Sequence, residues 1–176
     1  LAFFYGGLVK ASSVVSMMML SFGAMGLVAV IWVLYGFNMA FASGTGSDWI
    51  PEFVGDPFSD FGMADTAQAA FAGDGDLTMA AVIFGGTFAI ITVALVSGAI
   101  ADRARFFPWM VFAGLFATLV YFPVAAAVFS FVTDDKGVPT FTGWVGQLGG
   151  HLGLDAGTID YAGGTAVHIN AGAAAL

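Results

Sequence analysis

Residues 77–101 read LTMAAVIFGGTFAIITVALVSGAIA, twenty-five positions without a charge, bounded by Asp76 and Asp102. Wound as an α-helix at 1.5 Å per residue, such a run covers about 37 Å. That exceeds the roughly 30 Å hydrocarbon core of a bilayer. The apolar residues are continuous, so the short alternating strands of a membrane barrel are excluded. A membrane helix is expected over 77–100. Working outward, Ala11 to Ser47 and Phe106 to Thr133 are also free of charge. Each is long enough to span, with helices expected over 15–42 and 107–132. Two shorter apolar runs remain, Leu1 to Val9 and Tyr161 to Leu176 (YAGGTAVHINAGAAAL). They are expected as partial helices over 1–9 and 160–176. The expected fold is an all-α membrane protein, a polytopic helix bundle in one domain over 1–176. The chain is expected to be a piece that begins inside one membrane helix and ends inside another.

Composition supports the membrane class. The chain is 59% hydrophobic and 9% charged, with a mean hydropathy of +0.92. A soluble domain carries about 25% charged residues. There is no cysteine, which excludes disulfides and thiolate metal sites. The net charge is −8, with four basic residues, so no nucleic-acid partner is expected. Lys10, Arg103 and Arg105 lie in two short connections between helices, which places those connections on the cytoplasmic side. The connections 43–76 and 134–159 then lie outside, in a multi-pass protein of the cell (plasma) membrane. The first of these carries Asp48, Glu52, Asp56, Asp60, Asp65, Asp74 and Asp76. It reads either as a solvated connector or as a charge that enriches cations near a pore mouth. Asp74-Gly75-Asp76 lacks the full spacing of a calcium loop, so no metal site is expected.

A few side chains stand out against this apolar background. His168 lies about eight residues, or about 12 Å, along the last run from Asp160. That depth is near the middle of a bilayer, where an ionisable group marks a functional pathway by default. Gly164, Thr165, Ala171 and Gly172 flank it at helical spacing, leaving room for a close helix or a narrow pore. The plainer alternative is a histidine hydrogen-bonded inside a bundle. Phe84 and Phe88 are four residues apart and share a face in the outer half of the third helix. Phe129 lies near the outer end of the fourth. Such rings can attract cations through their faces, or simply pack. Asp160 is either a helix cap or an acid that organises a vestibule; the two roles are compatible. A protease would need a nucleophile against a base, and His168 shares its face with only Thr165. A haem carrier would need a second axial ligand, and His151 lies in an outer loop. No catalytic residue and no cofactor are expected.

Three stretches together resemble the Amt/MEP/Rh ammonium transporters. They are Ala2-Phe3-Phe4-Tyr5-Gly6-Gly7-Leu8-Val9; Phe84-Gly85-Gly86-Thr87-Phe88 with Gly98-Ala99-Ile100-Ala101-Asp102-Arg103; and Asp160 to Gly172, DYAGGTAVHINAG. With Trp32-Val33-Leu34-Tyr35-Gly36 they extend over nearly the whole chain in order. The resemblance implies the first five-helix half of an eleven-helix inverted-repeat transporter, assembled as a homotrimer with one pore per subunit. It implies passage of ammonium, ammonia or methylammonium, and a cytoplasmic regulator in some members. The family's alternative role is that of an ammonium sensor. By resemblance His168 is the first of a pore histidine pair and Phe88 a gate phenylalanine. Phe84, Phe129 and Asp160 belong to outer substrate recruitment. Tyr5 and Phe4 line the inner part of the first helix. The second pore histidine, second gate phenylalanine and outer serine are assigned to the other half. This chain departs from the family at Gly85, where glutamine is common, and at Phe129, often tryptophan. It also has Ala126-Ala127 where many members carry a His-Trp pair.

Overall fold

Among the described residues, six α-helical elements and one hairpin precede a final helix that returns to the bundle. The computed structural model describes residues 1–41, 47–72, 76–133, 139–154 and 157–176. In chain order these are α1 (Ala2–Gly7), α2 (Ala11–Met39), α3 (Ala64–Phe71), α4 (Asp76–Val96) and α5 (Phe106–Phe129). Then come β1 (Phe131–Thr133), β2 (Pro139–Phe141), α6 (Leu148–His151) and α7, residues 164–175. α2, α4 and α5 are long and apolar enough to cross a membrane. The architecture is a helix bundle, with one two-stranded antiparallel hairpin added where the sequence suggested only a connector.

Several element ends differ from the sequence expectation, each for a local reason. α4 stops at Val96 rather than at residue 100, where Ser97, Gly98 and Ala99 turn back onto Ala94, Leu95 and Val96 carbonyls. α5 stops at Phe129 rather than 132, because Ser130 is extended and Phe131 pairs with Phe141. The last helix begins at Gly164 rather than 160, after Gly163 takes a left-handed conformation. α2 ends at Met39; Ala42, expected as its last residue, lies outside the described residues, as do Asp74, Gly75 and Lys136.

The core is built from small residues and a few large rings. Ala24, Ala89, Ala113 and Ala117 are fully buried, so helix backbones approach closely. Rings then fill the remaining notches. A Cβ on Gly36 would run into the Phe122 ring, and one on Gly23 would lie 2.7 Å from Phe106. Three polar side chains tie helices together through carbonyls. Tyr5 bonds Leu95 O at 3.1 Å, Trp32 Nε1 bonds Val82 O at 3.0 Å, and Trp109 Nε1 bonds Leu20 O at 2.9 Å. Buried phenol and indole protons need such partners, and a carbonyl across the bundle supplies one.

Three helices contain a π-turn: Trp32–Gly36 in α2, Ala117–Tyr121 in α5 and Gly164–Ile169 in α7. Each inserts a residue into the helical ladder and turns the following side chains to new directions.

Candidate functional site: an aromatic pocket beside the start of α7

At the end of the bundle where α2 and α5 finish and α7 begins, a cavity of about 730 Å³ opens between the helices. Its walls include Phe84, Phe88, Phe129 and Asp160. Four of the five residues selected from the sequence therefore meet at one place. The Phe84 and Phe88 rings stand edge to face with centroids 4.9 Å apart, as a spacing of four on α4 requires. Phe129 reaches Phe88 from α5, with centroids 6.2 Å apart. Phe84 is largely exposed, whereas Phe88 and Phe129 are half-buried. Phe88 thus sits one turn deeper, between the other two rings.

Asp160 organises the start of α7. Its Oδ2 accepts the Thr165 amide at 3.1 Å and the Ala166 amide at 2.9 Å. These amides would otherwise be orphans at a helix start. The chain reaches that geometry through Gly163 at φ +75°, a conformation costly for any residue with a Cβ. A Cβ there would lie 2.9 Å from Val167 and 3.9 Å from Phe88. The other carboxylate oxygen, Oδ1, is buried without a hydrogen-bond partner among the described residues. Asp160 therefore caps the helix start with one oxygen, while the other is buried without a partner on a residue that lines the aromatic cavity.

His168 does not line this cavity. It lies five residues beyond Gly163 in the π-turn of α7, and its amide bonds Gly163 O at 2.9 Å. Its side chain is exposed, so among the described residues it is not a histidine packed inside the bundle. The buried positions of α7 are instead Ala166, Val167, Asn170 and Ala171.

Sequence reasoning missed more than half of the aromatic wall. Phe37 from α2, Phe41 just past its end, Phe131 and Phe141 from the hairpin, and Tyr161 before α7 also line the cavity. Phe37 and Phe41 carry the same four-residue spacing as Phe84 and Phe88, a signal present in the sequence. The hairpin rings had no such signal. The structure also accounts for Gly85. The Trp32 indole fills the notch at Gly85 and Gly86, where added Cβ atoms would lie 3.0 Å from its ring. Trp32 in turn meets Phe37 and Phe41 edge-on, with centroids 5.8 and 6.4 Å away. The absent side chain at Gly85 is thus matched by a tryptophan that supports the cavity wall.

The two long connections also meet each other. Phe53, Trp144 and His151 stack in series with centroids 5.9 and 5.7 Å apart. His151 Nε2 lies 4.0 Å from Glu52 Oε2, and the Trp144 amide bonds Glu52 O at 3.1 Å.

Comparison with known proteins places these residues in a lineage. The model of the Ammonium Transporter Family matches residues 1–176. An "Ammonium transporter" of Mycobacterium bovis is 44% identical over 191 residues, covering 100% of this chain and 37% of that protein. The same figures hold for an "Ammonium transporter" of Mycobacterium tuberculosis. An "Ammonium transporter" of Bacillus subtilis is 37% identical over 180 residues, again covering 100% of this chain and 37% of the relative. The chain therefore spans little more than a third of the length of these relatives.

Proposed function

This chain belongs to the Ammonium Transporter Family, and from that premise we propose that it forms the first part of a membrane pathway for ammonium. The observation that carries the proposal is the convergence of Phe84, Phe88, Phe129 and Asp160 on one cavity, with His168 further along the same helix as Asp160. Ammonium is a small cation that donates hydrogen bonds. Ring faces attract it, and the unpartnered Asp160 Oδ1 adds a nearby negative charge. Phe88 is the constriction, since it lies one turn below the exposed Phe84 and meets Phe129 from α5. A hydrated metal ion would have to shed water there without replacement ligands, at a cost of several kcal/mol or more. Ammonium avoids that cost by leaving its proton outside and passing as ammonia.

His168 serves the narrow path beyond the constriction. Imidazole both accepts and donates hydrogen bonds, which suits a line of ammonia molecules. Its exposed face in this chain supports a role toward residues beyond the described ones. Methylammonium is the companion substrate, the lipid bilayer is the medium, and a homotrimer is the assembly. The exposed rings of α1 and α5, such as Phe3 and Phe107, suit lipid or further helices.

The test is methylammonium uptake by cells carrying the intact protein, with potassium uptake and protein level measured in the same membranes. Phe88→Ala is expected to weaken discrimination against potassium several-fold. Absence of uptake above background, or unchanged selectivity at normal protein level, overturns the reading of this cavity as the outer end of the pathway.

A further inference from the structure

Trp32 stands behind the aromatic cavity without lining it. It is 4% exposed and opens the π-turn of α2. Its Nε1–H donates to the Val82 carbonyl on α4 at 3.0 Å. The indole then lies along two consecutive glycines of α4. A Cβ on Gly85 would lie 3.0 Å from its Cζ2, and a Cβ on Gly86 would lie 3.0 Å from its Cδ1. Carbon atoms pack best at about 3.5–4.0 Å, so neither glycine has room for a methyl unless the indole moves. Gly85 itself lines the cavity, with Ala81, Phe84 and Phe88 at helical spacing along the same face of α4. Where this face has no side chain, the indole closes the wall from behind.

The other side of the indole carries the rings that follow it. Phe37 and Phe41 meet it edge-on, and the Phe37 amide donates to the Trp32 carbonyl across the π-turn. From α5 the fully buried Phe122 packs on it, with centroids 5.9 Å apart. One residue therefore fixes Phe37 through its carbonyl, Phe37 and Phe41 through its ring, and α4 through its indole N–H. Phe41 Cε2 lies 4.0 Å from the position of a Gly85 Cβ, so both sides of the wall converge on this notch. A ring attracts a cation only within about 6 Å of its centroid. The separation of the two rows of rings thus decides whether one ion is held by both.

We propose that Trp32 is a positioning residue for the cation, a spacer that sets how far Phe37 and Phe41 stand from Phe84 and Phe88. The proposal rests on the reading of the cavity as the outer end of an ammonium pathway. A smaller ring at position 32 lets α2 settle toward the glycine pair, or leaves Phe37 and Phe41 free to swing into the vacated space. Either change takes one row of rings out of register with an ion held by the other. A methyl at Gly85 pushes the indole the opposite way and disturbs the same separation. The two changes compensate when combined, since the smaller ring makes room for the added methyl.

The experiment places 4-fluorophenylalanine at position 84 of the intact protein, a cavity ring that packs on Phe88. Its fluorine resonance is titrated in membranes with methylammonium chloride, with sodium chloride as the control. A saturable shift is expected in the parent. Its midpoint is expected to rise several-fold in Trp32→Phe and in Gly85→Ala, and to return close to the parent value in the double variant. In uptake, the single variants are expected to raise KM for methylammonium several-fold with the maximal rate per transporter little changed, the pattern of lost binding. A merely structural role would lower the amount of folded protein and leave the midpoint of the remainder where it was. Midpoints unmoved in both single variants, or a double variant weaker than either, overturn the positioning role while the parent's shift keeps the reading of the cavity. A parent line that responds to methylammonium no more than to sodium removes the reading of the cavity and the proposal with it. Should Trp32→Phe fail to accumulate, the midpoint of Gly85→Ala decides alone.

Discussion

Asp160 illustrates how one side chain holds two duties through two oxygens. Oδ2 is committed to the Thr165 and Ala166 amides, and Oδ1 has no partner among the described residues. The duties separate by substitution. Asp160→Asn keeps an acceptor for the amides and removes the charge. Asp160→Ala removes both. Loss of a helix cap costs about 0.5–2 kcal/mol. Asp160→Ala is therefore expected to lower the thermal midpoint of the intact protein, with Asp160→Asn nearer the parent. Both are expected to weaken methylammonium uptake, which is the signature of the charge. Equal loss of stability in the two variants would mean that the amide cap is not what Asp160 contributes. His168 calls for the opposite balance. It is exposed here, so His168→Ala removes no core packing and is expected to leave the melting behaviour of the protein within about 0.5 kcal/mol of the parent. Transport is expected to change much more, either by loss of flux or by weaker rejection of potassium. Parent-like uptake of both ions would remove His168 from the pathway.

At the scale of the elements, the connection between α2 and α4 is held by Asp60, which caps α3. Its Oδ2 accepts the Thr66 hydroxyl at 2.6 Å and the Thr66 amide at 2.9 Å, and Oδ1 accepts the Asp65 amide at 2.9 Å. Partial desolvation pushes its carboxyl up, but the bonds from Thr66, Asp65 and Ala64 outweigh it and hold the carboxyl below its ordinary range. A depressed folded pKa means the stabilisation is complete above the unfolded carboxylate value of about 3.9 and is lost as pH falls through the folded value beneath it. Hydrogen exchange at the Asp65 and Thr66 amides, corrected for intrinsic rates, is expected to be level from about pH 7 to 5 and faster below about pH 4. Asp60→Asn should flatten that dependence; a profile unchanged by the substitution would assign it to another group. This connection also marks the limit of what the chain discloses by itself. The long helices are legible because uncharged length alone decides a bilayer span. The pair Phe84–Phe88 is legible because helical spacing fixes its face. The π-turns and the Trp32 notch at Gly85 are not, since each depends on which helix lies alongside. The hairpin rings Phe131 and Phe141 reach the cavity only through a strand pairing that no alternation in the sequence announces.

For the molecule as a whole, charge placement and shape have to agree on one direction through the membrane. The three spanning helices carry no Lys, Arg, Asp or Glu between Ala11 and Met39, between Met79 and Val96, or between Phe106 and Phe129. Lys10 and the pair Arg103 and Arg105 flank one end of these helices; the acidic connection and the aromatic cavity lie at the other. Basic residues in short connections stay on the cytoplasmic side. The cavity end is therefore expected to face outward, with the neighbouring carboxylates placed to raise the local cation concentration. These 176 residues contain no cysteine, so a single thiol introduced among them meets no background from this part of the protein. Ser59 is exposed in the acidic connection, and Ala104 lies between the two arginines. In intact cells a membrane-impermeant thiol reagent is expected to label Ser59→Cys at once and Ala104→Cys only after permeabilisation. Labelling of Ala104→Cys but not Ser59→Cys would turn the cavity toward the cytoplasm, and Asp160 with its aromatic rings would then lie at the exit of the pathway instead of its outer mouth.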